Sequence, residues 1–304
     1  GKGASMKGTD LGHLVALHAL LQEGSVTEAA RRVGLSTPAM SHTLARMREL
    51  FGDPLLVRAG RRMVLTERAQ KLKPMVQNLV ERAEELFSPG EDFIPAELDR
   101  QYVIRMTDYV TLVMGDTFDR LVREQAPALR LVFVPTTADD AEALRRGDAD
   151  LAIGRYDRLP PELMTRKLVT DRFVCVLRKR HPMAGKRLTL KRYAAMDHVL
   201  VAPRGRPLGY LDSVLKEHGL ERRVCRAVPS FHTAAAMVAG SDYVLTLSRR
   251  AATVLARQLH LAIVEPPVRL EPYPIKLVWH PRLDPDPAHR WLRGLWLTAA
   301  EKLS

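Results

Sequence analysis

The chain reads as an all-helical N-terminal unit closed by a β-hairpin, a long connecting helix, and a C-terminal α/β domain of two lobes. Three observations predict this. Apolar residues recur at helical spacing from Leu11 to Phe87, two short strand-like runs interrupt them after Pro54, and from Tyr102 onward short apolar runs alternate with helical patterns.

The first helix is carried by Leu11, Leu14, Val15, Leu17, Leu20 and Leu21, with Asp10 as its N-cap. Ser25-Val26-Thr27-Glu28 has the spacing of a capping box and starts a second helix that runs through Val33. Gly34 then allows a tight turn. Ser36 caps a third helix, with Pro38 in its first turn, where a missing N–H costs nothing. Met40, Leu44, Met47, Leu50 and Phe51 form its inward face, leaving Thr37, Ser41, His42, Arg46 and Arg48 for the others.

Gly52-Asp53-Pro54 stops that helix. Leu55 to Arg58 and Met63 to Leu65 follow as two strands, joined by Ala59-Gly60-Arg61-Arg62. A short helix, a turn, a longer helix with a small, polar, basic outer face and an arginine-tipped hairpin together make a winged helix-turn-helix over residues 6–65. The first five residues, Gly1 to Ser5, read as an expression remnant. Such a unit lays its third helix in a DNA major groove and its wing on phosphates or the minor groove. The candidate DNA-binding residues are Ser36, Thr37, Pro38, Ser41, His42, Arg46 and Arg48 on the helix and Arg58, Arg61 and Arg62 on the wing. The net charge of +12 agrees with a polyanionic partner, although charge alone does not name one.

Residues 66–90 form a linker helix whose seam, Leu72, Met75, Val76, Leu79, Val80, Ala83, Leu86 and Phe87, calls for a partner helix, most simply its twin in a second chain. Pro74 removes one backbone hydrogen bond, so either a bent helix or two shorter pieces fit the sequence. Pro89, Gly90 and Pro95 flank a polar hinge.

Beyond it, in residues 91–304, Tyr102–Met106, Leu129–Val134 and Leu151–Gly154 read as strands around helices Tyr109–Gln125 and Ala138–Arg146. A second series begins near Leu163, with strands at Phe173–Leu177, His198–Val201, Val224–Val228 and Tyr243–Leu247. The chain returns through Ile263-Val264 to Ile275–Trp279 and a final helix, Ala288 to Leu303. Lobe I is expected at about 91–161 and 268–304, and lobe II at about 162–267. Two parallel-sheet lobes with two crossovers leave a cleft lined by strand ends and helix N-termini, where ligands settle in open α/β folds.

The residues Ala29-Ala30, Leu35 to Ser41, Arg46-Met47-Arg48, Phe51 to Arg58 and Leu65-Thr66 resemble the LysR-type transcriptional regulators, and the likeness continues along essentially the whole chain. His42 departs from it, where many members carry Arg or Gln. In the C-terminal half the likeness is carried by Asp150 to Gly154, Phe173 to Val176 with His181-Pro182, Phe231 to Ala239 and Asp242 to Thr246, most like the branch that answers to flavonoids or aromatic acids. The resemblance implies a domain similar to type 2 periplasmic binding proteins, with an aromatic or other organic acid bound between the lobes. It also implies double-stranded operator DNA and RNA polymerase as partners, and self-association, a dimer through the linker helix and usually a tetramer. On that basis Thr107, Asp108, Tyr109, Phe173, Cys175, Arg204, Phe231, His232 and Thr246 are placed near the effector.

Other classes fit less well. No glycine-rich phosphate loop, Gly-x-Ser-x-Gly elbow or His-Glu-x-x-His motif suggests an enzyme, and no motif calls for a cofactor or metal. A solute-binding transport component lacks its export signal here and does not account for the basic N-terminal unit. Cys175 and Cys225, in strand-like runs and far apart in sequence, suggest a reduced, cytoplasmic protein.

Overall fold

The computed structural model describes residues 12–87, 93–203 and 209–303. Asp10, Leu11, the Gly1 to Ser5 segment, Pro89, Gly90 and Arg204 lie outside the described residues. Two compact units divide at Asp92 and Phe93.

The first unit contains helices α1 (Leu14–Glu23), α2 (Val26–Val33) and α3 (Thr37–Phe51), strands β1 (Leu56–Ala59) and β2 (Arg62–Leu65), and helix α4 (Glu67–Phe87). Leu17, Leu20, Leu21, Ala29, Ala30, Met40, Leu44, Met47 and Leu56 meet in one buried core. Ser25 Oγ accepts the amide of Glu28, but the other half of the expected capping box is missing, because the Glu28 carboxylate turns outward to Arg31. Gly34, with φ of 69°, reverses the chain between α2 and α3, and Ser36 caps α3 through the amide of Ala39.

Asp53 organises the junction of α3, hairpin and α4. Its Oδ1 accepts the Leu55 amide at 2.7 Å and the Thr66 hydroxyl at 2.6 Å, and Thr66 Oγ1 in turn accepts the amide of Ala69 in the first turn of α4. These bonds hold Leu55 at φ of 59°, a left-handed backbone that an L side chain rarely adopts, while its side chain is buried in the core. The Thr66 hydrogen bond also keeps the Asp53 carboxyl below the ordinary carboxylate range.

Helix α4 runs unbroken across Pro74, so the one-helix alternative holds. Ala69, Val76 and Val80 are buried, whereas Met75, Leu79, Leu86 and Phe87 are exposed. The expected single seam is thus two faces, one packed within its own unit and one apolar face left open.

The second unit carries two five-stranded sheets. Lobe I holds β3 (Gln101–Met106), β4 (Arg130–Val134), β5 (Leu151–Gly154), β6 (Met164–Asp171) and β12 (Tyr273–Trp279), in the order β4-β3-β5-β12-β6. Lobe II holds β7 (Phe173–Arg178), β8 (Asp197–Val201), β9 (Arg223–Val228), β10 (Val244–Ser248) and β11 (Leu261–Val264), in the order β11-β7-β10-β8-β9. Neither sheet is purely parallel, contrary to the sequence expectation. β12 lies antiparallel to β5 and β6, and β7 antiparallel to β10 and β11. Each lobe completes its sheet with a strand that enters after a crossover, and that strand runs the other way. The alternation of Met164–Asp171 is polar and charged, which is why β6 was not read as a strand from sequence.

Helix α5 (Asp108–Val110) passes through a π-helical stretch, Thr111–Gly115, into α6 (Asp116–Gln125). The C-terminal helix α12 (Pro287–Glu301) packs on it, with Trp296 fully buried and stacked on Phe118 at a centroid separation of 3.5 Å. Such a ring pair adds roughly 0.5 to 1.5 kcal/mol beyond the area it buries. One crossover between lobes is the single residue Arg172, and its guanidinium grips Glu265, just past β11 on the other, by two bonds of 2.7 and 3.0 Å.

Candidate DNA interface and effector cleft

In the first unit, Ser36, Thr37, Pro38, Ser41 and His42 lie exposed on the early turns of α3, while Met40, Thr43, Leu44 and Met47 face inward. Arg58, Arg61 and Arg62 are exposed on the hairpin, and among the described residues no carboxylate lies within ion-pair reach of them. By contrast, Arg31 and Arg32 on α2 are paired with Glu28 and Glu23. The wing thus carries three arginines whose charge no ion pair among the described residues compensates.

Two helix arginines have internal duties. Arg48 donates from Nε to the Pro54 carbonyl at 2.8 Å and from Nη2 to the Leu56 carbonyl at 3.0 Å, pinning the hairpin base to α3. Arg46 is half-buried and lies 3.6 Å from Glu49.

In the second unit a cavity of about 550 Å³ opens between the lobes. Lobe I contributes Thr107, Tyr109, Thr136, Gly154, Arg155, Tyr156, Tyr273 and Ile275, and lobe II contributes Phe173, Leu200, Val201, Tyr210 and Phe231. A narrower recess continues from it toward Thr246, Ser248 and Arg222. Its walls are aromatic: Phe173 lies 4.7 Å from Tyr273 and 5.8 Å from Tyr210 by ring centroid, and Tyr109 lies 6.0 Å from Phe231. Arg155 supplies the charge, its guanidinium 5.0 Å from the Tyr273 ring and 5.3 Å from the Tyr210 ring, with Nε donating to Asp157 at 3.2 Å. Burial, then the Asp171 carboxylate, pushes the Tyr109 and Tyr273 hydroxyls above the ordinary tyrosine range, so both stay neutral. Tyr109 donates to Asp171 at 2.7 Å, and Tyr156 donates to buried Asp140 at 2.7 Å, which fixes both rings.

The two units, one with a helix-turn-helix and hairpin and one with a two-lobed cleft, match known sequences in the same order. Residues 11–70 match the bacterial regulatory helix-turn-helix protein, lysR family, and residues 120–300 match the LysR substrate binding domain. The chain belongs to the LysR family of transcriptional regulators. Among relatives of this LysR-type regulator, the HTH-type transcriptional regulator SyrM of Rhizobium meliloti is 36% identical over 96% of this chain and 89% of its own. Nodulation protein D 1 of Neorhizobium galegae is 33% identical over 98% and 96%. A solved probable transcriptional regulator from Pseudomonas aeruginosa superposes with a TM-score of 0.63 at 32% identity, covering 94% of this chain and 97% of that one. The LysR-type regulator is thus a DNA-binding protein with a domain for a small-molecule effector.

Of the effector residues named from sequence, Thr107, Tyr109, Phe173 and Phe231 line the regulator's main cavity and Thr246 the recess. Cys175 is fully buried away from the cavity lining, its Sγ 3.4 Å from Thr246 Oγ1, and burial pushes its thiol up to about 11. His232 is exposed, and its backbone amide rather than its ring meets Asp108. Asp108 itself is spent on the start of a lobe II helix.

Sequence reasoning missed Arg155, Tyr210 and Tyr273. Arg155 had a signal, since it follows Gly154 at the carboxyl end of β5, where open α/β sheets bind ligands. Tyr273 lies between two prolines in a segment read only as a connection, and Tyr210 opens a helix, α9 (Tyr210–Glu217), absent from the sequence reading.

Proposed function

We propose that this regulator reads operator DNA with the exposed early turns of α3 and the arginine hairpin, and that a flat aromatic effector enters the cleft between its lobes. In this reading residues 6–65 are the DNA-binding domain, 66–90 the dimerisation linker and 91–304 the regulatory domain. The observation that carries the effector class is the ring-lined cavity with Arg155 poised over Tyr210 and Tyr273. Rings give a planar ligand large contact area, and a single guanidinium orients one polar or acidic end. An effector controls DNA binding only insofar as it binds one arrangement of the protein better than another, and a ligand touching both lobes has that property.

Self-association through the open face of α4, further pairing into tetramers, contact with RNA polymerase and a cytoplasmic location complete the reading. Among the described residues no helix is long and apolar enough to cross a membrane.

The test is a thermal-shift screen of the full chain against aromatic acids, neutral polyphenols, aliphatic acids and amino acids, repeated with Arg155→Ala and Phe173→Ala. Ligand at a hundred times its dissociation constant adds about 2.7 kcal/mol of stability. Stabilisation by aromatic compounds that both substitutions abolish supports the reading. Stabilisation only by aliphatic ligands, or by aromatic ones that ignore both substitutions, defeats it.

A further inference from the structure

Asp108 stands two residues past the end of β3 in lobe I, yet all its described side-chain bonds cross to lobe II. Oδ1 accepts the backbone N–H of Phe231 at 2.9 Å, and Oδ2 accepts the Ser230 hydroxyl at 2.8 Å and the backbone N–H of His232 at 2.9 Å. These donors are the N-cap side chain and first two amides of α10 (Phe231–Ala239). A helix start offers unpaired N–H groups and a partial positive charge, which together receive an anion. Here the anion is a carboxylate of the protein's own other lobe.

The same device recurs at the hinge. Asp171, the last residue of β6 in lobe I, accepts the Arg172 amide at 2.8 Å, the Tyr109 hydroxyl at 2.7 Å, and at 3.4 Å the amide of Arg250 in the first turn of α11 (Arg249–Leu259) of lobe II. Phe231, whose amide Asp108 holds, lines the cleft with its ring against Tyr109. The filled anion receptor therefore adjoins the cleft wall at Phe231, between the lining residues Thr107 and Tyr109 on the side of Asp108.

We infer that Asp108 is a tethered substitute for a ligand carboxylate: it occupies the anion receptor at the start of Phe231–Ala239, latches the two lobes together without a bound molecule, and denies that end of the cleft to acidic ligands. A carboxylate arriving there meets a like charge, and the Ser230 hydroxyl and the Phe231 and His232 amides are already bound to Asp108. The guanidinium of Arg155, elsewhere in the cavity lining, is then the better receptor for an acidic group, so Asp108 is a specificity-determining residue. The specificity consequence rests on the cleft being the effector site, whereas the latch does not.

The experiment measures thermal unfolding of the full chain as wild type, Asp108→Ala and Asp108→Asn, in formate or acetate against chloride at equal ionic strength. Asp108→Ala is expected to lower the midpoint by about 2 to 8 °C, and formate or acetate to restore it saturably while leaving wild type unmoved. A merely structural cap would be lost in the variant without rescue by free anions. The inference is overturned by an unchanged midpoint in Asp108→Ala, by a lowered one that neither anion restores, or by equal rescue of wild type. If Asp108→Ala yields no folded protein, Asp108→Asn carries the test, since it keeps the size and one acceptor but not the charge. A midpoint equal to wild type would then remove the charge from the account. No effector enters these measurements, so a failed effector screen leaves them standing.

Discussion

Arg293 donates from Nη1 to Nδ1 of His289 at 2.6 Å, while His289 Nε2 donates to the Asp150 carbonyl at 2.9 Å. The ring is therefore neutral, and protonating it would set a second cation against the guanidinium inside the core. Burial first, and Arg293 further, hold His289 down at about 4, and burial does the same to His198. Unfolded histidine titrates near 6.5, so below that pH the unfolded chain binds protons that the folded chain refuses. Stability contributed by these residues is full above about 6.5 and is lost as pH falls toward 4, on the order of 3 kcal/mol per histidine across the window. Urea unfolding from pH 7 to pH 4 should show this decline, and a flat profile would contradict the assignment.

The arginines of the DNA-binding unit should separate into two kinds. Arg48→Ala removes both bonds to the hairpin base and should cost about 1 to 3 kcal/mol of folding stability. Arg58→Ala or Arg61→Ala should leave the melting temperature alone and weaken operator binding by about 1 to 3 kcal/mol, with a shallower salt dependence. Fluorescence anisotropy beside thermal melts distinguishes them. Equal effects of all three on stability would put the wing arginines to structural use.

Leu79 is exposed on the open face of α4 beside Met75. Leu79→Glu should lower the particle mass in light scattering without unfolding the chain, because a buried unpaired carboxylate at a helix pair is costly. An unchanged mass would move the assembly surface elsewhere.

The two cysteines should react at different rates. Cys175 is fully buried with a thiol pushed up to about 11, whereas Cys225 is half-buried and donates to the His198 carbonyl at 3.2 Å. Maleimide at neutral pH should label Cys225 first and Cys175 only after urea, as read by peptide mass mapping. Early labelling of Cys175 would show that lobe II opens far more readily than its core packing suggests.

Local signals were legible wherever the chain's own neighbours set the structure. Ser36 and Pro38 announced the start of α3, and the period of Leu17, Leu20 and Leu21 announced α1, because capping and helical spacing are written within a few residues. Partnerships across distant sequence were not. Nothing near Arg48 indicates that its guanidinium is claimed by Pro54 and Leu56, and the Asp108 carboxylate meets donors more than a hundred residues away. The cleft's ring wall was half-seen for the same reason: Phe173 and Phe231 lie in recognisable elements, whereas Tyr210 reaches Phe173 from a distant part of lobe II and Tyr273 becomes its neighbour only where the two lobes meet.

The bond between Arg172 and Glu265 bears on how the lobes can move. With one crossover only a residue long and its side chain fastened to the start of the second, the two strands of chain joining the lobes are tied side by side like the knuckles of a door hinge. Sliding of one lobe along the other would tear that fastening, whereas swinging about it would not. The lobe movement that keeps the bond between Arg172 and Glu265 is therefore a rotation, in which a small shift at the rings becomes an angle between lobes.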